Sequence, residues 1–148
     1  MLRDRNLFPL SHSHHRALGL CVLVRRDLAR DPSPPNVERL AARVLDRYDD
    51  EIRSHFLIEE RVLFPALAPW PELVPLLDEL LAEHARMAAL ISCLQTNPNP
   101  GSLDRFCVML SDHIRKEERS LFERMQQLLS PSQLSDIGAR LAPTASPA

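Results

Sequence analysis

The sequence predicts an all-α protein, an up-down-up-down four-helix bundle with a short fifth helix at the C-terminal end, and three observations carry that prediction. The composition is rich in Leu, Ala, Arg, Asp and Glu, with three glycines among 148 residues and only 5% aromatics, which favours helix over strand. Most of the thirteen prolines fall between segments of helical apolar period rather than within them. The two halves also resemble each other, each a helix pair whose second member carries the same ten-residue pattern.

Taken in order, a first helix is expected from about Ser11 to Arg30, stopping before DPSPPN. A second begins near Asn36, a good N-cap, and carries Leu40, Val44, Tyr48, Ile52, Phe56 and Leu63 to about Phe64. After the turn APWPE, a third helix spans about Glu72 to Gln95, with Pro75 tolerated in its first turn. TNPNPGS forms a loop, Ser102 is a candidate N-cap, and a fourth helix reaches about Leu129. SPSQLSDIGARL adds the short fifth helix and PTASPA a frayed tail. The whole, residues 1–148, reads as a single domain with a bundle core over about 10–129 and a C-terminal extension over 130–148. Short links between long helices are what an up-down-up-down bundle requires.

Eighteen Lys and Arg against twenty Asp and Glu leave no basic surplus, which argues against a nucleic-acid partner. Seventeen of the eighteen cations are Arg, a bias that suggests a bacterial source with a GC-rich genome. The longest uncharged apolar run, Ala17 to Val24, is far short of a membrane span, and MLRDRNLFPLSHSHH has no apolar leader core. Cys21, Cys93 and Cys107 form no CxxC pair and are expected to be reduced and buried. A soluble cytoplasmic protein, monomer or homodimer, is the resulting expectation.

The chemistry lies in the repeat. HFLIEERVLF, from His55, and HIRKEERSLF, from His113, share His, Glu-Glu-Arg and Leu-Phe in register. Residues four apart share a helix face, so His55 aligns with Glu59 and His113 with Glu117. Tyr48 and Ile52 precede the first pair on that face, and Phe106 and Leu110 the second, which places both pairs on apolar seams. Glu60 and Glu118, rotated roughly 100° further round, are free to reach solvent or to support other side chains. A carboxylate in a bundle core needs a positive partner. Arg61 and Arg119 offer one in a purely structural network, whereas imidazole with carboxylate suits iron, manganese or zinc.

Further histidines extend the set. His84 lies on the stripe Leu80, Met87 and Ile91 of the third helix. In the first helix His15 is preferred, because Leu18 and Val22 share its face, with His14 as its rival. One histidine from each helix and two glutamates saturate a single octahedral ion or hold two ions with both carboxylates bridging.

His15, HFLIEERVLFP, EHARM and HIRKEERSLF together resemble the hemerythrin-like HHE cation-binding domain, over roughly Leu10 to Leu129. The resemblance implies a four-helix bundle around two non-haem Fe ions, a di-iron centre with bridging carboxylates and a bridging oxo or hydroxo group. Carried over residue by residue, the metal ligands are His15, His55, Glu59, His84, His113 and Glu117, with His15 and His55 on one iron and His84 and His113 on the other. Two departures stand out. Hemerythrin proper has an additional histidine one turn from the third-helix ligand, where this chain has Leu80 and Ala88. Its second cassette uses an aspartate one residue further along, where this chain has Glu118 beside Glu117. Ferritin-like di-iron proteins, with Glu-x-x-His, fit less well.

The resemblance implies binding of O2 or a related small oxidant, peroxide or NO, at the metal centre. The alternatives are a di-iron redox enzyme acting on peroxide or nitric oxide, and an iron- or oxygen-responsive sensor or interaction module. No residue is assigned as a catalytic acid, base or nucleophile. Tyr48, seven residues before His55 as Phe106 is before His113, either packs in the core or hydrogen-bonds a ligand at the metal.

Overall fold

The computed structural model describes residues 1–145, and among them helices are the only regular structure. A 3-10 turn, Arg5–Leu7, leads into α1, Phe8–Arg30. The second helix, α2, runs over residues 34–67. The third, α3, is Val74–Thr96, entered through a 3-10 turn at Pro71–Leu73. The fourth, α4, covers residues 100–128, and α5 is Pro131–Ala145. The expected four-helix bundle with a short C-terminal helix is the observed architecture. The C-terminal helix continues to Ala145, into the stretch expected to fray, and the remainder of that tail lies outside the described residues.

Two helix starts differ from the expected caps for one reason. Pro34 and Pro100 stand in the first turns of α2 and α4, where a missing N–H costs nothing, so both helices begin earlier. Ser33 is the N-cap of α2, and Asn36 instead donates from Nδ2 to the Asp27 and Asp31 carbonyls, tying the end of α1 to the start of α2. Asn99 caps α4, its Oδ1 accepting from the Ser102 N–H at 2.8 Å.

The interior is divided. One apolar cluster holds Ala17, Leu20, Val24, Leu40, Val44, Ile91, Leu103 and Phe106. The other holds Leu7, Leu10, Leu63, Leu67, Leu80, Leu121 and Met125, and α5 closes it with Leu134, Ile137 and Leu141. Between them lies a layer of buried polar side chains: His14, His55, Glu59, His84, His113 and Glu117. Each cluster seals one side of that layer against water.

Three turns of π-helix interrupt the long helices, at Tyr48–Ile52, Glu59–Leu63 and Glu117–Leu121. In the last two the N–H of Phe64 bonds the carbonyl of Glu59, and the N–H of Phe122 that of Glu117. A π turn brings residue i+5 over residue i, so each cassette carries its glutamate and its phenylalanine on one buried face. Around the turn at Glu59–Leu63, Val62 is only partly buried, while Leu63 and Phe64 are buried.

The α5 clamp depends on one glycine. A Cβ at Gly138 lies 2.4 Å from Asn6 Oδ1 and 2.8 Å from Asn6 Cβ, so α5 approaches the N-terminal turn too closely for any side chain. Gly138→Ala is expected to destabilise the fold by about 1–3 kcal/mol through overpacking. Gly19, in mid-α1 with nothing within 4 Å of its Cβ position, is the control: Gly19→Ala is expected to stabilise by about 0.5–1 kcal/mol. Thermal melts of the two variants check the contrast, and equal melting temperatures would refute the clamp.

Candidate metal centre

Each helix of the bundle contributes one imidazole, and the two cassette helices add one carboxylate each. His14 Nε2 lies 3.0 Å from Glu117 Oε1, His55 Nε2 3.2 Å from Glu59 Oε2, and His84 Nε2 3.0 Å from Glu59 Oε1. His113 Nε2 lies 3.4 Å from Glu117 Oε1 and 3.2 Å from His84 Nε2. The donors fall into two overlapping groups, His14, His55, Glu59 and Glu117 on one side and Glu59, His84 and His113 on the other. Glu59 belongs to both.

The first-helix histidine is His14, and the expectation of His15 is corrected. The buried stripe of α1 is Leu10, His14, Ala17, Cys21, Val24 and Leu28, whereas His15 is exposed. Leu18 and Val22, which recommended His15, lie on the outer side, Val22 being 62% exposed. His55, Glu59, His84, His113 and Glu117 all stand within the cluster. Glu117, not Glu118, is the inward carboxylate of the second cassette, with no exposure. Arg61 and Arg119 are exposed, and the buried carboxylates face imidazoles instead.

The second glutamates have a different task. Glu118 Oε2 accepts from His14 Nδ1 at 2.6 Å, and Glu60 Oε2 from His84 Nδ1 at 2.8 Å. Glu83 Oε1 accepts from His113 Nδ1 at 2.7 Å and is itself held by Lys116. A carboxylate that takes the Nδ1 proton fixes the ring and leaves Nε2 as the inward donor atom. Ser11 in turn donates to Glu118 at 2.8 Å. The cassette phenylalanines complete the pattern: Phe122 stacks on His14 at 5.7 Å and Phe64 on His84 at 5.9 Å. Every shared letter except the exposed arginine now has a place. The histidine and first glutamate face the cluster, the second glutamate and the phenylalanine hold a neighbouring helix's histidine, and the leucine fills the core.

Glu83 was not foreseen, since nothing in a single sequence pairs it with His113 thirty residues away. Lys116, the chain's one lysine, was the nearest signal. Tyr48 is 6% exposed and packs edge-on against Phe56 and Phe106, both at 6.3 Å, with the Arg53 guanidinium over its ring. These contacts give it a core-packing role.

Without a cation the layer is held together by protons. Burial opposes charge on His14, but hydrogen bonds to Glu117 and Glu118 outweigh it and raise its pKa to about 10. His113 is raised to about 9, burial again being outweighed, here by Glu59, Glu117 and Glu83. Burial and the neighbouring charge of Glu59 push Glu117 up to about 8. Glu59 goes the other way, its burial outweighed by His55, Glu117 and His113. Two carboxyls this close share a proton. One oxygen, Glu117 Oε2, is buried with no hydrogen-bond partner, and a buried acceptor left that way calls for a cation. The donor set, imidazole nitrogen and carboxylate oxygen, fits a divalent transition metal.

The sign of the resulting pH dependence is fixed. His14 and His113, raised above the ordinary 6.5, stabilise the metal-free fold fully below that value and cease to do so as pH climbs through about 9 and 10. Glu117, raised from 4.5, adds a contribution that fades as pH rises through about 8. Metal-free protein is therefore expected to lose roughly 5–10 °C of melting temperature between pH 7 and 10. Cation-loaded protein, whose donor atoms have already released their protons, is expected to stay level over the same range. Parallel melts test this, and identical pH profiles would contradict it. His14→Ala is expected to abolish stoichiometric metal uptake and His15→Ala to leave it intact, measured as bound metal per chain.

None of the described helices is long and apolar enough to cross a membrane. A search among curated proteins and another among solved structures returned no match to the chain. The family model of the hemerythrin HHE cation binding domain matches residues 8–125, from the start of α1 through the last buried residue of α4's final turns. That span takes in the four clustered histidines, both inward glutamates and the carboxylates behind them, and the chain belongs to the hemerythrin HHE cation-binding domain family.

Proposed function

We propose that this chain holds two iron ions in its central layer and binds O2, or a related small oxidant, at them. The observation that supports this most is the division of four inward Nε2 atoms into two pairs around two buried carboxylates. His14 and His55 would hold one ion, His84 and His113 the other, with Glu59 and Glu117 between them. Iron bound there supplies coordination of the small ligand and reversible one-electron exchange. The protein's part is orientation and exclusion: Glu118, Glu60 and Glu83 fix three rings, and the two apolar clusters keep bulk water out.

Redox turnover on peroxide or nitric oxide is a second reading, and one feature favours it. A surface cleft of about 270 Å³, lined by Tyr48, Arg53, Phe56, Glu60, His84 and Ala88 among others, reaches the His84 side of the centre. Leu80 and Ala88 stand one turn from His84 on either side, where hemerythrin proper has another histidine at one of the two, and of these Ala88 lines the cleft. A side chain that small leaves room for a reactant to approach.

Metal analysis of protein isolated without chelator is expected to find about two irons per chain; a single ion, or zinc alone, would remove the basis of the reading. Glu60→Gln and Glu118→Gln are each expected to lower iron affinity roughly 10–100-fold without unfolding the chain, checked by competition with a ferrous chelator. Stoichiometric reversible binding of O2 would support the carrier, and repeated consumption of peroxide or nitric oxide with iron retained would support the enzyme.

A further inference from the structure

Two buried thiols meet between α1 and α4, away from the metal centre. Hydrogen bonds fix the antiparallel register of these helices at both ends: Ser11 with Glu118 at one end, and Arg25 with Asp104 at 2.9 Å at the other. Four residues back from Arg25 on α1 stands Cys21, and three residues on from Asp104 on α4 stands Cys107. The register thus sets them opposite one another. Both belong to the same apolar cluster, at 1% and 0% exposure, close enough for each thiol to perturb the other's titration, with Ser111 also acting on Cys21. Their mutual influence favours the thiolate on Cys21, while that influence and burial keep the proton on Cys107. Cys93, half-buried at the far end of α3, stands apart beside Ser102.

A small crevice lies within one turn of the pair on both helices. Its volume is about 10 Å³, room for a molecule near the size of water, and it is lined by His14, Ala17, His55, Leu110 and His113 among others. Ala17 is one turn from Cys21, and Leu110 three residues from Cys107.

We propose that Cys21 and Cys107 form an oxidisable dithiol, which hydrogen peroxide converts to a disulfide joining α1 to α4. The Cys21 sulfur attacks one peroxide oxygen, the O–O bond breaks, and the departing hydroxide takes a proton and leaves as water, giving a sulfenic acid. The Cys107 sulfur then attacks the Cys21 sulfur. The S–O bond breaks, the S–S bond forms, and the hydroxyl leaves with the Cys107 proton as a second water. Two thiols lose two electrons and one peroxide gains them.

The test uses the full chain as isolated, fully reduced, exposed to stoichiometric hydrogen peroxide, then unfolded and alkylated. Alkylatable thiols are expected to fall from three to one, the survivor being Cys93, with a Cys21–Cys107 peptide lighter by two hydrogens. In Cys107→Ser, dimedone is expected to capture a sulfenic acid on Cys21, and in Cys21→Ser the Cys107 thiol is expected to survive. Three thiols persisting in the unaltered chain, a bridge to Cys93, or separate overoxidation of Cys21 and Cys107 would each overturn the proposal. The unaltered chain decides the matter even where a variant fails to fold.

Discussion

Two carboxylates placed in the middle of an apolar bundle are the constraint around which this molecule is organised. Glu59 and Glu117 have no exposure, and a buried carboxylate is costly unless something positive meets it at close range. The surrounding residues answer that demand in concentric steps. Four imidazoles surround the pair, two of them, His14 and His113, favouring the charged form, and Glu118, Glu60 and Glu83 orient three of the rings from behind. Lys116 and Ser11 in turn hold Glu83 and Glu118. The outermost partners are half-exposed, so the unbalanced charge of the centre is passed outward until water can carry it. Protons can occupy the centre, and the buried Glu117 Oε2, which has no hydrogen-bond partner, is where a cation would add a contact.

The fold was legible almost whole, because prolines mark the helix ends and the apolar period marks the faces. The starts of α2 and α4 were misplaced where a proline was read as lying outside the helix rather than in its first turn. Within the site, the two cassettes announced themselves by repetition, and their inward glutamates followed from helical spacing alone. His14 did not follow, because SHSHHR offers three histidines within one turn and the neighbours used to choose among them, Leu18 and Val22, face outward. Periodicity assigns a face only when the apolar stripe is unambiguous, and on α1 it is broad. The π turns were equally hidden: each shifts a buried face by one residue, and no residue type marks the shift. Pairings between helices, such as Glu83 with His113 or Cys21 with Cys107, depend on register, which a single sequence does not contain.

The repeat is more than a repetition of ligands. Glu60, on α2, holds the histidine of α3, and Glu118, on α4, holds the histidine of α1. Phe64 and Phe122 stack on those same two rings. Each half of the chain therefore supports the histidine that opens the other half and leaves its own opening histidine to be supported in return. A polypeptide of one half alone would leave its opening histidine unsteadied, and would complete that support only by pairing with a second copy. The geometry is that of a two-fold assembly whose protomers have been joined end to end.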